Sequence, residues 1–278
     1  MNILIFSTII GLVSLIAGFF GSLTGLGGGV VIVPLLTLVF GIDIKYAIGA
    51  SLISVIATSS GAACAYVKEG FTNIRIGMFL EVATTFGALL GAYVATKLSN
   101  SVIAIIFGLI LIYSAYLTLK RIGEPILARK SDFLANRLKL DGTYPVSGGL
   151  ESYYVQGVPV GFCIMFLAGS ISGLLGIGSG ALKVIAMDQA MRIPFKVSTA
   201  TSNFMIGVTA AAGAGIYLNR GYVDPVLTMP VVLGVLLGSF IGSRYLLAAE
   251  TNKIRIIFSV VIFLLAIEMV YSGLRGHM

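Results

Sequence analysis

Charge is what this 278-residue chain has least of: 10% of its residues are charged, against about 25% in an ordinary soluble domain. With 58% hydrophobic residues and a mean hydropathy of +1.04, it lacks the polar side chains to cover a soluble fold. The same numbers exclude disorder, because disordered chains are charged and poor in apolar residues. Histidine occurs once, at His277, which removes most chemistry that needs a histidine base or metal ligand. The two cysteines, Cys64 and Cys163, lie in separate apolar segments. Neither a disulfide framework nor a metal site is expected from them. Tryptophan is absent. The opening stretch MNILIFSTIIGLVSLIAGFF has no basic residue ahead of its apolar run, so it reads as a first membrane segment and not as a signal peptide.

What the chain does have is glycine, 35 residues of it, and long apolar runs. The runs fall at about 3–22, 28–40, 46–66, 76–96 and 101–119, and again at about 155–172, 181–190, 197–218, 226–248 and 254–273. A helix needs about 20 apolar residues to cross the bilayer core, and most runs reach that. The runs are continuous, without the alternation of a membrane barrel. The expected fold is therefore an all-α, multi-pass membrane protein with the lipid bilayer as its solvent. The net charge of +7 reads as basic loops that fix topology at the cytoplasmic membrane, not as a nucleic-acid surface.

The chain divides into a first transmembrane repeat (1–119), a polar linker (120–154) and a second repeat (155–278). The linker carries Lys120, Arg121, Arg129, Lys130, Arg137 and Lys139 and is expected on the cytoplasmic side, with an amphipathic helix on the membrane surface as one form for part of it. A gapless shift of 151 positions aligns 17–107 with 168–258 at 21 identities in 91. The matches include Gly25 with Gly176, Gly27 with Gly178, Gly29 with Gly180, Ser51 with Ser202 and Tyr66 with Tyr217. Setting the linker inside and counting crossings, an inverted second half leaves only Lys45, Lys97, Arg220 and Arg275 outside, with 13 basic residues inside and Lys183 uncounted. Parallel halves split the same residues 10 to 7. Two inverted repeats of about five hydrophobic segments each are expected.

The two glycine stretches, GSLTGLGGGVVIVPLL at 21–36 and GSISGLLGIGSGALKVIAM at 169–187, each separate a long apolar run from a short one. Unwound backbone at membrane depth is tolerated only where protein or water satisfies it. Broken helices at matching positions of two repeats point to a transporter's binding site, with helix N-termini aimed at an anion. The expected substrate-binding set is Gly25, Gly27, Gly28, Gly29, Ser51, Gly176, Gly178, Ser179, Gly180, Lys183, Ser202 and Asn203. Lys183 stands out because an intramembrane charge costs about 2.5–3.5 kcal/mol on insertion scales and usually serves a function. Asp188 is its nearest acid in sequence but lies on another face of the helix. Glu81 is a candidate coupling carboxylate for H+ or Na+, and Glu268 a weaker one. Thr58 and Thr209 read as packing residues, and Tyr66 and Tyr217 as an interfacial belt. Nothing calls for a cofactor or a metal, and the stretches lack the GK[ST] ending of a phosphate loop. Three alternatives stay open: an anion channel, a non-transporting membrane subunit, and a hydrolase built on Ser179 and Lys183 at i, i+4 spacing. Glycine-rich faces also suit a homo-oligomer.

The motif GLGGG followed by VVIVP, a lysine-containing loop and a repetition after about 150 residues resembles the sulfite exporter TauE/SafE family of membrane permeases. The resemblance implies secondary transport of small anions such as sulfite, sulfonates and related organic or sulfur oxyanions. It places the first site segment at Gly25, Gly27, Gly28, Gly29 and Pro34, and the second at Gly176, Gly178, Ser179 and Gly180. Ser179 stands where the family often has glycine, and Ile185 stands opposite Pro34.

Overall fold

The computed structural model describes residues 3–24, 28–68, 70–119, 131–146, 149–246 and 251–276. Gly25, Gly27, His277, the basic residues Lys120, Arg121, Arg129 and Lys130, and the side chains of Cys64 and Tyr66 lie outside the described residues. The first half runs α1 (Ile3–Thr24), α2 (Gly29–Pro34), a π-helical turn (Leu35–Val39), α3 (Ile44–Lys68), α4 (Ile74–Lys97) and α5 (Asn100–Leu119). A connecting unit follows, with α6 (Phe133–Arg137), β1 (Gly142–Val146) and β2 (Gly149–Tyr153). The second half runs α7 (Val158–Leu175), α8 (Gly180–Ile185), a second π-helical turn (Ala186–Ala190), α9 (Phe195–Asn219), α10 (Pro225–Leu246) and α11 (Thr251–Arg275).

The duplication is carried into three dimensions. Gly29 and Gly180, Leu35 and Ala186, and Ile44 and Phe195 open equivalent elements 151 positions apart. Both short segments are six-residue helices that run into a five-residue π-helical turn. Each turn is closed alike, Ile42 N–H donating to Leu36 and Ile193 N–H to Met187. The packing is exchanged between halves: α1 lies along α10 and α4 along α7, while α3 packs on α9 and α5 on α11.

Glycine sets these pairings. In α4 and α7, Gly87 faces the Phe166 carbonyl, Gly91 the Ser170 carbonyl and Gly173 the Ala88 carbonyl, so the two helices run parallel with backbone against backbone. Gly11, Gly18, Gly234 and Gly238 hold α1 and α10 in the same way. In α5 and α11, Gly108 faces Ala266 while Gly273 faces Ser101, which makes that pair antiparallel. The α3–α9 pair is antiparallel too, since Gly213 lies near Leu52 and Gly207 against Ser59. Close approach of backbones suits helices that gain little from hydrophobic association in lipid. The outward faces are apolar, with Leu12, Met78, Phe86, Leu167, Leu233 and Leu264 exposed, as a lipid-facing surface requires.

Among the described residues of the connecting unit α6 is helical, and β1 and β2 form an antiparallel hairpin with Thr143 opposite Ser152 and Pro145 opposite Leu150. Thr143, Tyr144 and Val146 are strand-forming types, and a two-stranded ribbon leaves Pro145 on an edge. Asp141 accepts from Val155 N–H and Ser131 Oγ, and Asp132 accepts from Gly157 N–H. Asn73, capping α4 through Ile76 N–H, also donates to the Leu140 carbonyl and to Tyr153 Oη. Gln156 N–H donates to Met191 at the end of the second short segment. The unit is thereby tied to both halves. Burial pushes the Tyr153 phenol up to about 12, so it stays neutral where it meets Asn73.

A methyl group at Gly91 would strike the Ser170 backbone, whereas one at Gly215 meets nothing. Gly91→Ala is expected to lower stability by about 1–3 kcal/mol through overpacking, and Gly215→Ala to leave it unchanged or slightly raised. Thermal unfolding of both variants in detergent, read by size-exclusion chromatography, checks the pair.

Candidate functional site

The second glycine stretch is a true interruption. Gly176, Gly178 and Ser179 all adopt left-handed backbone, Ser179 with φ 46°, a conformation that costs a non-glycine residue about 1 kcal/mol or more. Helix α7 ends at Gly176, whose N–H reaches back to Ser172, and α8 starts at Gly180. Tyr217 braces the end of α7 by donating to the Leu174 carbonyl at 3.1 Å. It is fully buried, so it is a core residue and not a member of an interfacial belt.

The start of α2 meets the second break. Ser51 of α3 donates to the Gly176 carbonyl at 2.7 Å. A side chain at Gly29 would strike both Ser51 Oγ and the Gly176 carbonyl. The start of α2, the middle of α3 and the second break therefore share one point between the halves. Gly178 sits between Val55 and Ile206. Gly28 faces Val235 and Gly18, on the side of α1 and α10. Ser202 donates to the Gly180 carbonyl at 3.3 Å, the same-half counterpart of the Ser51 bond. Asn203 is half-buried beside it.

Lys183 is 0% exposed. Its Nζ donates to Thr209 Oγ1 at 2.5 Å, and Thr209 Oγ1 lies 2.7 Å from Glu81 Oε1 and 3.0 Å from the Met205 carbonyl. Thr209 is also 0% exposed and Glu81 6%. One hydroxyl thus links a buried ammonium from α8 to a buried carboxylate from α4. Thr85 donates to the same Glu81 oxygen at 3.3 Å. The other oxygen, Oε2, is buried without a hydrogen-bond partner, as is the Ser179 hydroxyl. Ser179 and Lys183 form no dyad: the lysine turns to Thr209 and the serine is left free.

Several expected residues fall elsewhere. Asp188 is buried with an unpartnered Oδ1, and Lys183 finds its acid in Glu81 instead. Glu268 is exposed on α11. Thr58 donates to its own helix at Val55, as a packing residue does, but its counterpart Thr209 is the bridge of the charged group. The repeat match pointed to Thr209, yet nothing local in the sequence says that α4 brings Glu81 against it. Among the described residues no cluster of three or more His, Cys, Asp or Glu could hold a metal.

Comparison with known proteins decides the family. The description "Sulfite exporter TauE/SafE" matches residues 10–269. The chain belongs to the sulfite exporter TauE/SafE family. Its relatives include the probable membrane transporter protein YunE of Bacillus subtilis, 31% identical and covering 94% of this chain and 96% of its own length. Another is the probable membrane transporter protein YdhB of the same organism, 30% identical over 84% of this chain and 86% of its own. A third, from Methanocaldococcus jannaschii, is 25% identical with 93% of each chain covered. No solved structure matches. Membership of the TauE/SafE family makes the chain a helical membrane transporter.

Removing one partner of a buried charged group strands the other and costs about 3–5 kcal/mol, whereas replacing both is far milder. Lys183→Met alone is therefore expected to destabilise by that amount, and Lys183→Met with Glu81→Gln to recover most of it. A double-mutant cycle on thermal stability in detergent measures the difference.

Proposed function

We propose that this chain is a secondary transporter of small anions, of the class of sulfite, sulfonates and related organic or sulfur oxyanions, in the cytoplasmic membrane. The observation that carries this reading is the fully buried Lys183 ammonium, set four residues after a left-handed break whose Ser179 hydroxyl is buried and unpartnered. A buried positive charge on α8 and a free hydroxyl in the break that precedes it, in a place where helices are interrupted, are what an oxyanion needs in order to leave water. Ser51 and Ser202 spend their single hydrogens on the carbonyls of Gly176 and Gly180, so their part is to hold the unwound backbone. Gly28, Gly29, Gly178 and Asn203 complete the proposed surroundings of the anion.

The two halves act in this proposal as inverted repeats. Two features support that: the exchanged pairings of α1 with α10 and α4 with α7, and the antiparallel course of the equivalent pairs α5–α11 and α3–α9. A two-fold axis that makes equivalent helices antiparallel lies across them, which in a membrane means along its plane. Rocking one half against the other about the point where α2 meets the second break would open the site to each side in turn. The chain has no nucleotide-binding motif, so the driving force is a gradient of ions or of the substrate itself.

Purified protein in liposomes is expected to exchange labelled sulfite saturably, with a subset of a panel of unlabelled anions competing. Ser179→Gly keeps the left-handed backbone and removes the hydroxyl. It should raise KM by about two- to tenfold, the worth of one hydrogen bond. Weakly saturable currents, or no movement of any anion by folded protein, would overturn the proposal.

A further inference from the structure

The charged group breaks the symmetry of the fold. Under the 151-residue shift, Lys183 stands opposite Ile32, Glu81 opposite Val232 and Thr209 opposite Thr58. On the other side of the two-fold relation, then, the same three places hold two apolar side chains and a threonine bonded within its own helix. Among the described residues there is one buried ammonium–hydroxyl–carboxylate chain and not two.

The group is also closed to other charges. Glu81 is faced by Lys183 from α8 and Thr209 from α9, with Thr84 and Thr85 on its own helix. Helix α7, packed along α4, has no charged side chain, and its Cys163 is exposed. The remaining charges of α4 and α9, namely Arg75, Lys97 and Lys196, are exposed. Asp188 of the second π-helical turn is buried, and its Oδ1 has no hydrogen-bond partner. Lys183 and Glu81 are the two opposite charges joined, and balanced, through Thr209.

That balance has a consequence for the transported anion. With both groups ionised the site is neutral, and a monovalent anion arriving alone leaves one uncompensated buried charge, which is costly. A proton arriving with it restores neutrality. Glu81 Oε2, buried and without a partner, is the oxygen free to take that proton, while Oε1 keeps its bond to Thr209. A sodium ion is a poorer fit: it would need several oxygen ligands beside an ammonium, and among the described residues no group of three or more His, Cys, Asp or Glu could hold a metal ion.

We propose that Glu81, linked through Thr209 to Lys183, is the proton-coupling site of this transporter, binding one proton together with each monovalent anion. The inference rests on the anion-carrier reading above. Binding is then reciprocal: the anion raises the affinity for the proton by the factor by which the proton raises the affinity for the anion.

The test uses full-length protein in weakly buffered liposomes with a trapped pH dye. The probes are isethionate, a sulfonate whose own charge does not titrate, and sulfite. Anion entry down its gradient is expected to carry protons with it in the wild type. In Glu81→Gln that proton flux should fall about tenfold or more, in the range of coupling between linked sites, and any remaining exchange should no longer respond to pH. Thr209→Val should behave likewise and Thr209→Ser should restore coupling. If Glu81→Gln does not fold, Glu81→Asp supplies the reading: a retained acid on a shorter arm must displace the pH dependence of exchange. Anion exchange without proton movement in the wild type, proton flux undiminished in folded Glu81→Gln, or an unmoved pH profile in Glu81→Asp would each overturn the coupling site and leave the carrier standing. Failure of both anions to exchange in folded wild type would remove the carrier reading and this one with it.

Discussion

An ammonium group sealed inside an apolar helix assembly must be matched by acceptors held at the right distance, and Lys183 imposes that condition on the whole centre of this molecule. The group is assembled from three helices, with Thr209 of α9 between Lys183 of α8 and Glu81 of α4. Glu81 comes from the first half and the other two from the second. Parting the halves at this point would take a buried charge from its partner, which is costly wherever water does not replace that partner. The break at Gly176–Ser179 sets where α8 starts, and hence where Lys183 stands. The Ser51 and Ser202 hydrogen bonds to that break are part of the same support.

Around this centre the structure depends on how closely backbones approach. Helices in lipid gain little from burying apolar side chains against each other, so contact area and fit decide which of them pair. Gly18, Gly87, Gly91, Gly169, Gly173, Gly234 and Gly238 of α1, α4, α7 and α10 are spent on this, each turned to a neighbouring backbone carbonyl. The two parallel pairs are α1–α10 and α4–α7, while α3–α9 and α5–α11 are antiparallel and join equivalent helices of the two halves. The charged group bridges α4, α8 and α9, so it connects one parallel pair to a helix at the central interface. A change in its charge would act where the halves meet.

Much of the fold was legible in the residues. The apolar runs located every long helix to within a few positions, because hydropathy is a local property and a membrane helix needs only length and apolarity. The glycine stretches marked both short segments, and the duplication fixed their correspondence. The hairpin in the linker was not legible: its lysines and arginines drew attention to a surface helix, while the strand-forming run at Thr143–Val146 is short and holds Pro145. Tyr217 was misplaced because position near a helix end does not reveal what packs over it. It is buried against α7, donating to a carbonyl in the last turn before the break.

The sequence by itself determined the solvent, the helical class, the doubled plan, the family resemblance and the singular character of Lys183. Each of these follows from composition or from spacing along one line. Only the tertiary structure decided which acid answers the lysine. Asp188 is five positions away in sequence and does not pair with it, whereas Glu81 is joined to it through Thr209, a bond that spans 128 positions. Sequence spacing orders residues along a helix, but the partner of a buried charge is chosen by how helices lie against one another, and in this molecule that was set by glycine packing between the two halves.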